Sequence, residues 1–240
     1  MSCLRGNTKN VRGYRGMISG LDCVEGSAST KTLVGEKLSC GNGASKVFSD
    51  VNCRLKEGEI LWVKGANGTG KTTLLRILAG LSPPQSGRVL WQGEDIAGEN
   101  RTCFHDDLLY FGHFLGVADD LTVSENLEFS YALLNGMPKQ RQDACWRALL
   151  TLKISHVAEL PAHLLSFGQR KRVALSRLLL SGTRQVWLLD EPYSGLDTEG
   201  VEILSGVLES HLEVGGLLVV TSHQDFRIRG NLGRVLELGR

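Results

Sequence analysis

The sequence predicts an α/β fold, and three features of the 240-residue chain lead to that prediction. A glycine-rich loop at residues 65–72 follows a short apolar strand and opens a helix with apolar residues at helical spacing. A second apolar run, at residues 186–189, ends in two acidic residues, which is typical of a buried strand in a parallel sheet. Between these segments the periodicity becomes helical over about 60 residues. We therefore expect an α/β frame into which a block of helices is inserted.

The composition is that of an ordinary globular protein with extra glycine, since 29 residues are Gly, 42% are hydrophobic and 22% are charged. The 27 basic and 26 acidic residues give a net charge of +1, which argues against a nucleic-acid-binding domain, because such domains usually carry a basic excess. The six cysteines form no C-x-x-C pair, so neither a zinc site nor a disulfide framework is expected. No apolar run approaches the roughly 20 residues that a membrane-spanning helix requires.

The first 33 residues differ from the rest of the chain in charge. Before the first acidic residue, Asp22, they carry four basic residues: Arg5, Lys9, Arg12 and Arg15. This charge resembles that of a transit peptide, but the segment lacks the apolar run of a secretory signal. We interpret residues 1–33 as a disordered N-terminal extension and residues 34–240 as the folded domain.

The predicted strands and helices alternate towards both ends of this domain. Strands are expected at residues 47–55, 59–63, 88–91, 108–111, 185–189 and 217–221, and near Val235. Helices are expected at residues 71–79, 122–134, from Pro138 onwards, and at residues 166–179 and 198–213. The second of these helices opens on a capping box, in which Thr122 and Glu125 accept hydrogen bonds from each other's backbone N–H groups.

The loop at residues 65–72 matches the pattern G-x-x-x-x-G-K-[ST] in full, and it lies between a strand and a helix. In that position the backbone N–H groups and the helix N-terminus converge on a polyphosphate. We expect Lys71 to pair with the β- and γ-phosphates, and Thr72 to hold Mg²⁺. The predicted nucleotide-binding residues are Gly65, Ala66, Asn67, Gly68, Thr69, Gly70, Lys71, Thr72 and Thr73.

Asp190 and Glu191 follow the second apolar strand and supply the carboxylates that hydrolysis of a phosphoanhydride needs. Parallel strands bring their carboxyl ends to one edge of the sheet, where a phosphate loop also lies. Asp190 can reach the metal there, commonly through water, and Glu191 is then placed to polarise the attacking water. Without the phosphate loop, the same pair would be interpreted as an exposed turn.

A family resemblance becomes visible at residues 165–169, Leu-Ser-Phe-Gly-Gln. This segment resembles the LSGGQ signature of ATP-binding cassette (ABC) proteins, and it lies upstream of the acidic strand, as in that family. Residues 194–197 resemble the D-loop, and His223 resembles the switch histidine. The resemblance covers roughly residues 36–240. It implies a P-loop NTPase of ABC type: a RecA-like core, an antiparallel β subdomain and an inserted helical subdomain at about residues 114–180.

The resemblance also implies roles for further residues. ATP and Mg²⁺ are the implied cofactors, with magnesium at Thr72 and Asp190, and Glu191 and His223 are the implied catalytic residues. The signature residues are implied to open a helix whose N-terminus faces the γ-phosphate held by another subunit. These residues are Ser166, Phe167, Gly168 and Gln169, and the D-loop residue is Asp197. Two ATP molecules are then sandwiched in a head-to-tail homodimer.

Three positions need separate interpretation. His113 stands where most ABC ATPases have a Gln that touches Mg²⁺, so it is a further candidate metal contact whose charge would depend on pH. No aromatic residue occupies residues 41–43, where the adenine-stacking side chain is expected, and Phe48 is the nearest candidate, although we do not assign it. The basic run at residues 170–172 is interpreted as a solvated helix face rather than a nucleic-acid or lipid site.

Within the family, the sequence is most similar to the ATP-binding subunits of the haem exporters of cytochrome c maturation. The residues that carry this similarity lie at 89–93, 109–113, 169–177, 187–192 and 215–216. The resemblance implies haem export or delivery together with a CcmB-like membrane-spanning permease, a CcmC-like haem-handling protein and a periplasmic haem chaperone, and no nucleic acid. It implies a peripheral location on the cytoplasmic face of the bacterial inner membrane, with the mitochondrial inner membrane as the lesser alternative.

Two other functions stay open on the sequence alone. One is an ABC ATPase for a different transported substrate, and the other is a soluble ABC ATPase of iron–sulfur assembly. A DNA-repair type is disfavoured, because only 95 positions separate Lys71 from Ser166 and this stretch carries no heptad repeat of a long coiled coil.

Overall fold

The computed structural model describes residues 31–42, 45–99, 101–136, 141–222 and 233–239. Over these ranges the chain forms one antiparallel and one parallel sheet, together with helices that cover the parallel sheet. The predicted α/β frame, with its antiparallel β subdomain and its inserted block of helices, is confirmed.

The antiparallel sheet consists of four strands, β1 (Thr32–Asn42), β2 (Ser45–Lys56), β4 (Ser86–Trp91) and β5 (Glu94–Asp95). Their order in the sheet is β2-β1-β4-β5. β1 begins within the last two residues of the predicted extension, and its Leu33 is fully buried, paired with Leu55 on one side and Trp91 on the other. Because this side chain belongs to the core, the folded domain begins before residue 34.

The parallel sheet consists of five strands, β3 (Ile60–Lys64), β6 (Leu108–Phe111), β7 (Val186–Asp190), β8 (Leu217–Thr221) and β9 (Arg234–Glu237). Their order in the sheet is β6-β7-β8-β3-β9. Every residue of β7 and β8 is buried, which explains why their sequences are continuous apolar runs rather than alternating patterns. Since all five strands run in parallel, their carboxyl ends share one edge.

Six α-helices accompany the sheets in the described ranges. They are α1 (Lys71–Leu78), α2 (Arg101–Asp107), α3 (Val123–Asn135), α4 (Arg141–Thr151), α5 (Phe167–Leu179) and α6 (Thr198–Glu213), with short 3-10 helices at Ser155–Val157 and Ala162–Leu164. The predicted capping box is present at the start of α3, where Thr122 Oγ1 accepts from Glu125 N at 3.2 Å and Glu125 Oε2 accepts from Thr122 N at 2.7 Å. The predicted start of the next helix, Pro138, lies outside the described residues.

Hydrophobic cores lie on both faces of the parallel sheet. Along β3, Ile60 and Trp62 join the core that α3, α4, α5 and α6 cover. Leu61 and Val63 point the other way, into the core shared with α1 and the antiparallel sheet. Because both faces are covered, polar residues at the carboxyl edge of the sheet are left to form a site. Within the described residues, no helix combines the length and apolar character that a membrane span needs.

Candidate functional site

Three strand ends meet at the carboxyl edge of the parallel sheet. β8 pairs with β3 on one side and with β7 on the other. The phosphate loop follows β3, while Asp190 ends β7 and Thr221 ends β8. Asp190 and Thr221 are direct partners in the strand register, so the sheet itself brings the acidic strand end beside the phosphate loop.

The phosphate loop leads directly into α1, whose N-terminal cap residue, Gly70, has a φ of 95° and provides no side-chain cap. A helix that begins without a capping side chain fits an N-terminus that binds an anion instead. Glycine is required here, because a Cβ would lie 2.5 Å from Val47 Cγ1 and 3.0 Å from Phe48 Cδ1. Phe48 is therefore a buried residue that supports the loop. Gly43, one of the positions considered for an adenine contact, lies outside the described residues.

Lys71 is the first residue of α1, and its side chain is buried. Its Nζ donates hydrogen bonds to the carbonyl oxygens of Gly65 and Ala66, at 2.8 Å and 3.0 Å. The ammonium thus lies against the loop that the sequence assigns to the phosphates, rather than in solvent. A fixed cation in this position is the arrangement that binding of a polyphosphate requires.

Asp190 is buried, with 3% of its surface exposed, and both of its carboxylate oxygens accept hydrogen bonds from hydroxyl groups. Thr72 Oγ1 donates to Oδ2 and Thr221 Oγ1 donates to Oδ1, each at 2.7 Å. The Thr72 hydroxyl and the Asp190 carboxylate are the hard oxygen ligands that Mg²⁺ prefers. No cluster of three or more His, Cys, Asp or Glu side chains occurs among the described residues.

Glu191 follows Asp190 and has a φ of 46°, in the left-handed region that is unfavourable for a residue with a side chain. Three hydrogen bonds hold its backbone in this conformation. Its N–H donates to Thr221 Oγ1 at 2.8 Å, and its carbonyl oxygen accepts from Lys171 Nζ at 3.1 Å and from the Ser194 N–H at 3.3 Å. Strained backbone of this kind occurs preferentially at functional sites, where the surrounding structure maintains it.

Lys171 is only 4% exposed, and its Nζ lies 5.0 Å from the centre of the Phe111 ring, in a cation–π arrangement. Burial lowers the pKa of Lys171 to about 8, although the carboxylates of Asp190 and Glu191 act in the opposite direction. Phe111 is the last residue of β6. The ammonium of Lys171, which belongs to α5, therefore contacts both the end of β6 and the residue that follows β7.

The prediction that residues 170–172 form a solvated helix face is wrong for two of the three. Lys171 is 4% and Arg172 8% exposed, while Arg170 is partly exposed and pairs with Asp119. The reason is the central position of α5, which packs against α3, α4 and α6. On this helix Lys171 shares the i, i+3, i+4, i+7 face of Ala174, Leu175 and Leu178, all of which are buried.

Arg172 joins α5 to the predicted D-loop. Its guanidinium donates to Asp197 Oδ1, to Glu199 Oε2 and to the Leu152 carbonyl. Asp197 also caps α6 by accepting from the Gly200 N–H at 3.0 Å. The hydrogen bond from Arg172, followed by that from Gly200, lowers the pKa of Asp197. The predicted D-loop aspartate is therefore fixed to the helix that carries the signature.

The predicted signature residues form the N-terminus of α5. Ser166 is its cap residue, and Ser166 and Gln169 form a second capping box, with distances of 3.2 Å and 2.9 Å. Phe167 is 62% exposed, and its ring occupies the space that a Cβ on Gly195 would need. Gly195 has a φ of 76°, so this close approach between signature and D-loop depends on glycine.

His113 is exposed and lies two residues beyond the end of β6. Its ring stands edge-on to Phe114, with 6.0 Å between the ring centres. In the part of the chain that the structure describes, it has no hydrogen bond to Thr72 or Asp190. It shares a groove of about 480 Å³ with the signature residue Phe167. His223, the predicted switch histidine, lies outside the described residues.

Thr221 and Lys171 are functional candidates that the sequence did not single out. Thr221 ends the apolar strand that pairs with the acidic strand. A hydroxyl residue at the end of such an apolar strand is therefore a signal in the sequence for a site residue. Lys171 is signalled by the apolar residues that share its helical face. Neither signal identifies the partner, because Thr221 lies 31 and Lys171 20 positions from the residue that each contacts in the β7 segment.

A sequence profile of the family described as ABC transporter matches residues 48–194 of the chain. This match covers more than half of the sequence and includes the phosphate loop, the signature and the acidic strand. The chain belongs to the ABC transporter family, as one of its ATP-binding, ATP-hydrolysing subunits.

Individual relatives that match most of the chain share one protein name. The chain is 44% identical to the cytochrome c biogenesis ATP-binding export protein CcmA of Nitrosospira multiformis, over 86% of this chain and 98% of that protein. It is 42% identical to CcmA of Haemophilus influenzae, over 79% of this chain and 88% of that protein. Among solved structures, an ATP-binding cassette dimer in a post-hydrolysis state with ADP and phosphate aligns with a TM-score of 0.74 at 24% identity, over 86% of this chain and 94% of that chain. A nucleotide-free cassette aligns with a TM-score of 0.65 at 21% identity, over 81% of this chain and 82% of that one.

Proposed function

We propose that this chain is the ATPase of an ABC transporter complex that serves haem export or delivery in the biogenesis of c-type cytochromes. The observation that carries the hydrolytic part is the chain of hydrogen bonds from Thr72 through Asp190 and Thr221 to the Glu191 backbone. The identity of 40–44% to CcmA proteins over most of the chain supports the assignment of the cargo system.

In the proposed mechanism, the backbone of residues 65–73 and the Lys71 ammonium bind the polyphosphate of ATP. Thr72 and Asp190 would hold Mg²⁺, which supplies positive charge to the phosphate oxygens when it is bound. The Glu191 carboxylate accepts a proton from the attacking water, and its strained backbone fixes the direction from which it does so. His113 is a further candidate contact near the metal, and His223 a candidate contact to the γ-phosphate.

The proposed working form is an ATP-sandwiched homodimer. Ser166, Phe167, Gly168 and Gln169 stand at the N-terminus of a 13-residue helix, which offers N–H groups and a positive dipole end to the γ-phosphate bound by the other subunit. Asp197 lies beside this N-terminus, because Arg172 and the contact of Phe167 with Gly195 tie the D-loop to it. The dimeric cassette with ADP and phosphate that shares the fold supports this arrangement.

The proposed partners are a CcmB-like permease, a CcmC-like haem-handling protein and a periplasmic haem chaperone, with the ATPase held peripherally on the cytoplasmic face of the bacterial inner membrane. In this proposal, ATP binding closes the dimer and hydrolysis opens it. The permease converts that motion into transport.

The test of the cargo assignment is a strain whose only copy of the gene carries Lys71→Ala. We expect loss of mature c-type cytochromes and retention of b-type haem proteins, because haem synthesis continues while delivery for covalent attachment fails. Haem-stained gels and difference spectra measure both classes. Lys56→Ala, which removes an exposed lysine at the end of β2, is the matched control and should leave both classes normal. Normal c-type cytochromes in the Lys71→Ala strain would contradict the proposal and favour another transported substrate.

A further inference from the structure

The buried ammonium of Lys171 joins three parts of the described structure. Lys171 belongs to α5, the helix that begins at the signature. Its Nζ lies 3.1 Å from the carbonyl oxygen of Glu191 and 5.0 Å from the centre of the Phe111 ring at the end of β6. A lysine that is 4% exposed has lost most of its hydration, so these partners replace water around the charge.

The conformation that this contact maintains is unusual. Glu191 has a φ of 46°, and the direction of its side chain follows from the backbone dihedrals of that residue. Thr221 fixes the N–H of Glu191, and the Glu191 carbonyl oxygen accepts from Lys171 Nζ at 3.1 Å and from the Ser194 N–H at the longer distance of 3.3 Å, so the residue is held on both sides. Loss of Lys171 would leave only the longer bond from Ser194 on the carbonyl side, so the backbone would relax towards the common regions of φ and ψ and the carboxylate would turn with it.

We propose that Lys171 is a positioning residue that holds the Glu191 backbone in its left-handed conformation and thereby makes the aim of the catalytic carboxylate depend on the placement of α5. This inference rests on the proposed role of Glu191 in hydrolysis. It follows that a shift of α5 relative to β7 by about 1 Å would carry the donor beyond hydrogen-bond distance. The signature helix thus controls hydrolysis within its own subunit as well as contacting the nucleotide of the other.

The proposed role of Lys171 affects the hydrolysis step rather than the binding of ATP. Lys71 and the loop backbone, the groups assigned to the phosphates, share no hydrogen bond with Lys171 among the described residues, and Lys171 acts on Asp190 through its charge rather than through a hydrogen bond. Removing the Lys171 ammonium should therefore change the affinity for ATP much less than kcat, because the orientation of Glu191 is lost. Misplacement of a catalytic group by about 1 Å can cost on the order of 100-fold in rate.

The experiment measures kcat and KM for MgATP, and the Kd for ATP by titration, with the purified full-length chain. Lys171→Met keeps the apolar stem and removes the donor, and Lys171→Gln is a polar second variant whose amide ends about one bond short of the lysine nitrogen. Lys171→Arg keeps both charge and donors. Lys153→Met is the matched control, because Lys153 pairs with Glu199 on the surface and does not contact Glu191.

We expect Lys171→Met and Lys171→Gln to lower kcat by about 10-fold or more, with KM and Kd within about 2-fold of the wild type. Lys171→Arg should restore most of kcat, and Lys153→Met should leave all three constants unchanged. An unchanged kcat in a folded Met or Gln variant would overturn the inference. A parallel loss of kcat and of affinity for ATP would also overturn it, because that result describes a general structural role.

Glu191→Gln, measured in the same assays, distinguishes a failure of the inference on Lys171 from a failure of the proposed catalytic role of Glu191. If Glu191→Gln retains turnover, the proposed catalytic role of Glu191 is wrong and the inference on Lys171 falls with it. If Glu191→Gln stops turnover while both neutral variants of Lys171 keep their kcat, only the inference on Lys171 is wrong.

Discussion

The Thr221 hydroxyl shows how much of the site depends on a single atom. Thr221 Oγ1 donates its proton to Asp190 Oδ1 and accepts from the Glu191 N–H, so it joins the candidate metal ligand to the candidate base. Thr221 is fully buried and Asp190 is 3% exposed, while Glu191 is partly exposed. The three residues therefore act as one unit, in which a missing hydroxyl would remove a partner from a buried carboxylate oxygen and from a partly buried backbone N–H.

We predict that Thr221→Val, which keeps the shape and removes the hydroxyl, lowers the free energy of unfolding by about 1–3 kcal/mol. It should also lower kcat, because Glu191 and Asp190 lose their shared support. Chemical denaturation and steady-state ATPase assays measure the two effects. Thr221→Ser keeps the hydroxyl and serves as the control, with kcat close to that of the wild type. Equal kcat values for the Val and Ser variants would show that the bridging hydroxyl is dispensable.

At the scale of single elements, the phosphate loop and the strand that ends at Asp190 are predictable because their signals are local. A glycine pattern between strand and helix, or an apolar run that ends in acids, needs no knowledge of distant residues. Both capping boxes are local in the same sense, since their partners are three residues apart.

The features that the sequence did not predict, or predicted wrongly, depend on contacts between residues that are far apart in the sequence. β1 is broken by irregular register at Gly35/Leu38 and Leu38/Cys40, so its residues do not alternate as a regular strand would. A run of charged residues such as 170–172 suggests a solvated surface. Lys171 and Arg172 are buried because α5 is central, and their charges are satisfied by partners that lie 20 and 25 positions away, the Glu191 carbonyl for Lys171 and the Asp197 carboxylate for Arg172.

The start of β1 gives a prediction about the N-terminal boundary. We propose that residues 1–30 lie outside the ATP-binding domain, whereas Leu33 is part of its core. Deletion of residues 1–30 should leave the ATPase activity and the melting temperature close to those of the full chain. Deletion of residues 1–33 removes a fully buried leucine and should cost about 2–5 kcal/mol of stability, which lowers the melting temperature by several degrees. Thermal unfolding of the two variants, side by side, measures the difference. Loss of activity on removal of residues 1–30 alone would contradict the boundary.

At the scale of the whole molecule, the described contacts connect the residues assigned to the two halves of the proposed nucleotide site. The phosphate loop, Asp190 and Glu191 form one half at the edge of the parallel sheet. The signature forms the other half at the N-terminus of α5, where Phe167 is exposed. Lys171 and Arg172 link the two halves through the interior, to Glu191 and to Asp197 respectively. In the proposed homodimer, each chain presents one half-site to the other copy and receives the other half-site in return.

The corresponding prediction concerns assembly. Glu191→Gln keeps the shape of the side chain but cannot accept the proton, so ATP should bind and persist, and ATP-bound dimers should accumulate. Sedimentation velocity with MgATP measures the monomer and dimer fractions, and ADP in place of ATP should leave the variant monomeric, because the γ-phosphate is the group that the signature helix of the other subunit is proposed to bind. The double variant Lys71→Ala/Glu191→Gln is the matched control and should stay monomeric with ATP, since it lacks the ammonium that the phosphates require. If Glu191→Gln alone remains monomeric with ATP, or if dimers form equally with ADP, then the nucleotide does not hold the subunits together in the proposed way.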